Sequence, residues 1–181
     1  LELQRAFSTL SKLVDDVDCV ELNPDIQRVG ELFKDANLNA LGNPSLEVIT
    51  NDGRNHLFIN QKKYDLIISD ATNPVTFDAW SIYTKEFYEL CKKRLKKDGV
   101  FCQWIPLHVP QEGIEIILNT VNEVFPHTTF WNIYGSGQSF MLATPERLEF
   151  NHEELSKKLP RVIEQVKLDE CGINNVDKFL S

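Results

Sequence analysis

Hydrophobic positions along the chain follow two alternating periodicities, and these predict strands and helices in turn. Short runs rich in β-branched and other apolar residues indicate strands, whereas apolar residues at every third or fourth position indicate amphipathic helices. The predicted strands are 17–22, 46–50, 64–69, 100–105, 128–133 and 139–144. The predicted helices are 3–13, 26–33, a short stretch around 57–59, 84–96 and 110–125, followed by a polar helical region from His152 that Pro160 should break.

The order of these elements predicts the fold class. Strands that alternate with helices favour a parallel, right-handed α/β sheet. The strand 64–69 is nearly continuous in apolar residues, as expected of a parallel strand covered on both faces. The last two strands predict an antiparallel hairpin, so we expect a mixed sheet. We expect one main domain over 1–150 and a helical extension over 151–181, with Asp98-Gly99 ending the helix 84–96.

Composition and charge restrict the functions that such a domain can have. The chain has 181 residues, 42% of them apolar, and a net charge of -8, which suits one globular domain and disfavours nonspecific nucleic-acid binding. The four cysteines are scattered, which favours free thiols, and neither they nor the histidines have a metal-ligand spacing, so we assign no metal. No apolar run approaches the ~18 residues of a membrane span. The chain begins with Leu rather than Met, so we expect it to be a piece of a longer protein.

A run of basic residues lies near the end of the helix 84–96. It could bind phosphate or anionic lipid, but we favour a solvated face that complements the helix dipole. The residues are Lys92, Lys93, Arg94, Lys96 and Lys97.

Three predicted strands end beside a carboxylate, namely Glu21, Asp52 and Asp70, and a fourth carries Gln103. Ligands of open α/β sheets bind at the carboxyl ends of the strands. There, Glu21 could accept hydrogen bonds from both hydroxyls of a ribose, and Asp52 could accept from an adenine amine that Gly53 allows to approach closely. Asp70 could orient an amine substrate. Each acid alone is equally well explained as a turn former or helix N-cap, but together they indicate a nucleoside-binding α/β fold.

Several stretches resemble one known family in wording, order and spacing. They are VDCVELNPDI, LEVITNDGRNHL, YDLIISDATNP, IYTKEFYELCKKRLKKDGVFCQW and VFPHTTFW. Residues 10–144 therefore resemble the spermidine synthase (aminopropyltransferase) family, a branch of the class I methyltransferase fold. QWIPLH, the FPHTTFW hairpin and the tail from Leu159 are most similar to a bacterial subgroup in which this domain follows a membrane-embedded segment. The resemblance implies a Rossmann-like sheet, mostly parallel with a C-terminal antiparallel hairpin, and a nucleoside-binding catalytic domain over 1–150.

The resemblance also implies an activity. The family transfers an aminopropyl group from decarboxylated S-adenosylmethionine to an amine such as putrescine and releases methylthioadenosine. By position, Glu21 would hold the ribose, Asp52 with Gly53 the adenine, and Asp70 would bind and deprotonate the attacking amine. Asn73 and Tyr83 would contact the acceptor, and Trp80 could meet its cation face-on, although packing beneath the loop explains both aromatic residues more simply.

Two departures from the family pattern affect these expectations. The family usually has two acids in D-x-x-D-P, whereas here Asn73 replaces the second, which supplies no charge for a diamine. The Gly-rich turn and first strand should precede the helix 3–13 and are absent from this chain, so we expect 1–181 alone to bind the donor poorly.

Other functions and partners stay open. The fold could instead use S-adenosylmethionine itself as a methyl donor, or serve as a non-catalytic nucleoside-binding sensor. Family members commonly form homodimers, and we expect a cytoplasmic location, or the cytoplasmic face of the inner membrane if a membrane segment lies upstream.

Overall fold

The computed structural model describes residues 14–35, 39–70, 79–107, 109–133, 138–149, 151–166 and 168–180. The chain divides into two compact units: one comprises the ranges 1–53 and 149–181, and the other 54–148. The predicted helix 3–13 and residue Asn73 lie outside the described residues, and the domain boundary expected near residue 150 stays a prediction.

Strands and helices alternate along the chain, as the hydrophobic pattern predicts. In chain order they are β1 (Val17–Glu21), α1 (Asp25–Leu32), β2 (Leu46–Thr50), α2 (Gly53–Ile59), β3 (Tyr64–Ser69), α3 (Lys85–Arg94), β4 (Leu95–Pro106), α4 (Gln111–Val124), β5 (His127–Ile133), β6 (Gln138–Thr144), α5 (His152–Val166) and α6 (Val176–Leu180). Three 3₁₀ helices cover Ala40–Gly42, Trp80–Tyr83 and Leu168–Cys171.

The first unit contains a parallel pair of strands. β1 and β2 run in register from Val17 opposite Leu46 to Glu21 opposite Thr50. The side chain of Asn23 accepts a hydrogen bond from the backbone N–H of Asp25 at 3.0 Å, which satisfies one free donor at the start of α1. The carboxyl ends of both strands therefore lie at one edge of this sheet.

The second unit contains a four-stranded mixed sheet in the order β3-β4-β6-β5. β3 and β4 are parallel, whereas β6 is antiparallel to both β4 and β5, so the expected closing hairpin is confirmed. An aromatic cluster fills the core beneath it, and the rings of Phe101 and Phe125 stack with centroids 5.7 Å apart. This core packs the helices α3 and α4 against the sheet.

The expected end of the helix 84–96 is wrong. α3 stops at Arg94, and Leu95 already pairs with Tyr64 of β3. The register then shifts, so that Val100 pairs with Leu66. Gly99 lies in this irregular part of β4, where an added Cβ would be 3.0 Å from the carbonyl oxygens of both Lys96 and Tyr64. Close backbone approach within the sheet, rather than a helix terminus, therefore favours glycine at this position.

The expected break at Pro160 is also wrong, because α5 continues through it from His152 to Val166. A proline inside a helix removes one backbone hydrogen bond and strains the preceding turn. Burial of the neighbouring Leu159 supplies the tertiary packing on which most helix stability depends.

No helix in the described ranges combines the length and hydropathy needed to cross a membrane.

The basic run at the end of α3 is mostly paired within the protein. Lys96 forms an ion pair with Asp65 at 2.7 Å, and Lys97 approaches Glu146 at 3.7 Å. Lys92 donates to the carbonyl oxygen of Val124 at 2.6 Å. Arg94, by contrast, is only 3% exposed, so the expectation of a solvated face is wrong for this residue.

Candidate functional site

The edge formed by β1 and β2 brings two of the predicted site residues together. Glu21 ends β1 opposite Thr50, and the backbone N–H of Asn51 donates to the carbonyl oxygen of Glu21 at 3.1 Å. Asp52 follows one residue later, beyond the end of β2. The two carboxylates thus leave neighbouring parallel strands at the same edge, which is where such sheets bind ligands.

Glu21 performs a structural task with one of its oxygens. Its Oε1 accepts a hydrogen bond from the backbone N–H of Asn23 at 2.9 Å. Glu21 therefore does act as a turn former, as one of its two interpretations predicts. Its Oε2 has no hydrogen-bond partner among the described residues. Burial, and then the charge of Glu21, raise the pKa of the Cys19 thiol to about 11. The turn therefore orients the carboxylate of Glu21.

Asp52 and Gly53 stand at the start of α2. Asp52 is exposed, and its backbone N–H donates to Oδ1 of Asn51 at 2.8 Å. A Cβ added to Gly53 would meet no atom within 4 Å. The protein's own packing therefore does not require glycine here, in contrast to Gly99, and the space beside Gly53 remains open for an approaching group.

The second unit brings Asp70 close to Tyr83. Asp70 follows β3 directly and is exposed, whereas Tyr83, in the 3₁₀ helix Trp80–Tyr83, is 9% exposed. Burial, and then the Asp70 carboxylate, raise the pKa of Tyr83 to about 12. The same two causes raise the pKa of the Cys102 thiol, in β4, to about 11. Asp70 therefore lies within electrostatic range of both the Tyr83 hydroxyl and the Cys102 thiol.

Trp80 belongs to the same 3₁₀ helix as Tyr83 but is 58% exposed. Its ring is therefore available for contact with a ligand near this turn, while that of Tyr83 is largely packed. Glu21 and Asp52 belong to the first unit, whereas Asp70 and Tyr83 belong to the second.

Gln103 was identified near a strand end from the sequence, but the buried polar network that it forms was not predicted. The hydroxyl of Tyr88 in α3 donates to Oε1 of Gln103 at 2.8 Å, and Nε2 of Gln103 donates to the carbonyl oxygen of Ile82 at 3.4 Å. Tyr88 and Gln103 are both fully buried, and burial strongly raises the pKa of Tyr88. The signal in the sequence was a hydroxyl on the otherwise apolar stripe of α3.

Metal-binding chemistry has no candidate in the described ranges, where no group of three or more His, Cys, Asp or Glu side chains could hold an ion. The cysteines at 19, 91 and 102 are free thiols.

Most of the chain is similar to known proteins. A family model, the spermine/spermidine synthase domain, matches residues 9–147. A polyamine aminopropyltransferase of Sulfurisphaera tokodaii is 26% identical over 161 residues, covering 84% of this chain and 53% of that protein. The chain thus spans about half the length of this relative.

Two solved structures share the fold. A spermidine synthase in complex with the transition state analogue AdoDATO has a TM-score of 0.65 at 22% identity and covers 86% of this chain and 62% of its own. Human methyltransferase-like protein 13 in complex with SAH has a TM-score of 0.67 at 15% identity and covers 92% of this chain and 93% of its own. The Rossmann-like, methyltransferase-type fold expected from the sequence is confirmed.

Proposed function

Because the chain belongs to the spermine/spermidine synthase domain family, we propose that it is the aminopropyl-transferring part of an enzyme that uses decarboxylated S-adenosylmethionine and a small amine. The observation that carries this proposal is the position of Asp70, directly after β3 and close enough to Tyr83 to raise its pKa. The name of the Sulfurisphaera tokodaii relative supports the same reaction.

The donor would bind at the edge of β1 and β2. Glu21, held by the amide of Asn23, would accept a hydrogen bond from a ribose hydroxyl through Oε2. Asp52 would accept one from the adenine amine, and the open space at Gly53 would let the base approach the backbone. These roles rest on the position of each residue in the fold and on the resemblance of the motifs.

Asp70 would act on the acceptor. An amine is protonated at neutral pH and has no lone pair for attack until it loses a proton, which a neighbouring carboxylate can accept. The freed lone pair forms a C–N bond with the aminopropyl carbon next to the sulfonium. The C–S bond breaks, its electron pair goes to sulfur, and methylthioadenosine leaves as a neutral thioether. Asp70 would also fix the line of approach.

Asn73, Tyr83 and Trp80 would shape the acceptor site. A phenol is protonated at neutral pH even at its ordinary pKa of 10, and burial and Asp70 raise the pKa of Tyr83 further, to about 12, so this residue supplies no negative charge. Trp80 could meet an ammonium group with the face of its ring. Asn73 stands in place of the usual acid and supplies no charge either. We therefore propose that the amine substrate has fewer ammonium groups to pair with carboxylates than putrescine has.

Replacing Asp70 with Asn tests the proposal. We expect Asp70→Asn to lower methylthioadenosine release from decarboxylated S-adenosylmethionine by about 10²- to 10⁴-fold with every accepted amine, the typical contribution of a general base. Asp65→Asn, an exposed change on the same strand, is the matched control and should keep wild-type activity. Undiminished release by Asp70→Asn would rule out Asp70 as the base. Methylation from S-adenosylmethionine, or donor binding without turnover, would favour one of the two alternatives.

Location and assembly stay predictions. We propose a cytoplasmic location and a homodimer, which fractionation of cells and light scattering of the purified protein would test.

A further inference from the structure

We propose that Gln103 is a positioning residue for the acceptor site, because it ties the 3₁₀ helix Trp80–Tyr83 to the sheet and so keeps Tyr83 beside Asp70. The inference deepens the proposed function and rests on it for the identity of the ligand. The placement of the helix, however, depends only on contacts within the second unit.

The orientation of the Gln103 amide is set by Tyr88. A phenolic hydroxyl donates to the amide oxygen, and Oε1 lies 2.8 Å from the hydroxyl of Tyr88. This assignment leaves the NH₂ group on the other side, where Nε2 lies 3.4 Å from the carbonyl oxygen of Ile82. Tyr88 thus selects the amide orientation in which Gln103 can hold the residue next to Tyr83.

The network is costly unless it is complete. Tyr88 and Gln103 are both 0% exposed, and Tyr88 packs against the rings of Phe87 and Phe101. Burying an amide or a hydroxyl without a hydrogen-bond partner destabilises the folded protein, whereas an apolar side chain would fill the same space without that cost. A buried amide here is explained if its two bonds fix a geometry that apolar packing alone would leave loose.

The 3₁₀ helix is held at two successive carbonyl oxygens. Oγ1 of Thr84 donates to the carbonyl of Ser81 at 3.2 Å and accepts from the N–H of Phe87 at 3.3 Å, so it ties this helix to the start of α3. Gln103 ties the next carbonyl, that of Ile82, to β4. The first bond is local, whereas the second connects this helix to the sheet.

The sheet register connects this hold to Asp70. Gln103 in β4 pairs with Ser69 in β3, and Asp70 is the next residue along the chain. Gln103 therefore contacts both the carbonyl oxygen of Ile82, which precedes Tyr83, and the end of β3, which precedes Asp70. Because Gln103 is fully buried, it would act on the acceptor through Tyr83 and Trp80 rather than by contact.

The test uses Gln103→Met, which keeps the length of the side chain and removes both hydrogen bonds. Tyr88→Phe is a milder variant that removes only the bond that orients the amide, and it serves if Gln103→Met does not fold. Val121→Ala, a fully buried change on α4, is the control for a general loss of stability.

The first measurement needs no turnover. In protein labelled with 5-fluorotryptophan, the ¹⁹F resonance of Trp80 is assigned with Trp80→Phe. In Gln103→Met the chemical shift of this resonance should move towards that of free 5-fluorotryptophan, and its line should become narrower. In Tyr88→Phe both changes should be smaller. The resonance of Trp131 should stay as in the wild type in both variants. The resonance of Trp80 should stay as in the wild type in Val121→Ala. An unchanged Trp80 resonance in Gln103→Met would overturn the proposal.

The second measurement separates the two substrates. We expect Gln103→Met to raise the KM for the amine about three- to tenfold, the effect of one net hydrogen bond, while the KM for the donor stays within about twofold. Equal changes in both KM values, or the same change in Val121→Ala, would mean a merely structural role and would contradict the inference. If the wild-type protein turns over no amine, the proposed function fails while the ¹⁹F result still decides the placement of Trp80–Tyr83.

Discussion

Two glycines have opposite surroundings, because the backbone is close to one of them and the space around the other is open. At Gly99 an added Cβ would be 3.0 Å from two backbone carbonyl oxygens, neither of which is the end of a flexible side chain. At Gly53 it would meet nothing within 4 Å. A motif alone cannot distinguish these cases, because Asp98-Gly99 and Asp52-Gly53 are the same dipeptide.

Gly99→Ala should destabilise the second unit. The methyl group must displace the backbone of Lys96 or Tyr64, and such overpacking typically costs about 1–3 kcal/mol in the free energy of unfolding. Urea denaturation would measure the loss. Gly113→Ala is the matched control, since its Cβ would come no closer than 3.9 Å to Val109 and helix α4 should gain up to about 1 kcal/mol. Equal stabilities of the two variants would show that the sheet tolerates a side chain at 99.

Gly53→Ala should separate donor binding from stability. Since its Cβ has open space and Ala favours a helix, we expect unfolding to be unchanged or slightly harder. If an adenine ring lies against this backbone, the methyl group should raise the Kd for methylthioadenosine about tenfold or more, which isothermal calorimetry measures, whereas Gly113→Ala should leave it unaltered. Binding as tight as in the wild type would move the base away from Gly53.

At the scale of elements, Arg94 joins the end of α3 to the end of α2. Its Nε donates to the carbonyl oxygen of Leu57 at 2.7 Å, and its Nη2 donates to that of Phe58 at 3.1 Å. Its Nη1 donates to Oε1 of Gln61 at 2.8 Å. A positive charge at the last carbonyls of a helix also interacts favourably with the helix dipole. The guanidinium therefore supplies a C-terminal cap for α2 from another part of the chain.

Arg94→Met should lower the free energy of unfolding by about 2–4 kcal/mol, because two helix carbonyls lose a buried, charge-assisted donor. Arg94→Lys should recover only part of the loss, since an ammonium cannot span three acceptors in the same fork. Lys93→Met, an exposed change one position earlier, should stay within about 0.5 kcal/mol of the wild type. Urea denaturation compares the three, and a small effect of Arg94→Met would mean that water satisfies these carbonyls.

Local periodicity predicted the elements well, and long-range pairing explains where it failed. The strands 46–50 and 64–69 have the predicted bounds. The predicted end of α3 was wrong because Leu95 pairs with Tyr64 of β3, which lies far earlier in the chain. Arg94 was read with its lysine neighbours because nothing local reveals that its partners are Leu57 and Phe58.

The candidate site shows the same limit. Carboxylates after strands could be identified one at a time, because a strand end is a local feature. The approach of Tyr83 to Asp70, and the hold of Gln103 on Ile82, depend on how α3 and β4 pack and have no signature in spacing.

For the molecule as a whole, buried tyrosine and cysteine side chains determine how stability changes at alkaline pH. Burial raises the pKa of Tyr83 to about 12 and the pKa values of Cys19 and Cys102 to about 11, and it raises that of Tyr88 strongly. In the unfolded chain these groups ionise near pH 9 for Cys and 10 for Tyr. Above these values the unfolded chain has released protons that the folded chain keeps, so stability falls as pH rises. The net charge of -8 adds self-repulsion in the same direction.

Tyr88→Phe should therefore flatten the alkaline loss of stability even though it removes a hydrogen bond. The wild-type free energy of unfolding should be level below about pH 8 and should fall between about pH 9 and 11, by roughly 1.4 kcal/mol per pH unit for each such group that only the unfolded chain has ionised. Urea denaturation at steps from pH 7 to 11, under reducing conditions, gives the slope. Tyr88→Phe should reduce that slope above about pH 10 by the share of one group, whereas Ile105→Val, an equally buried change without a titrating group, should lower stability at every pH and leave the slope alone. Parallel curves for Tyr88→Phe and the wild type would mean that Tyr88 ionises in the folded protein as easily as in the unfolded chain.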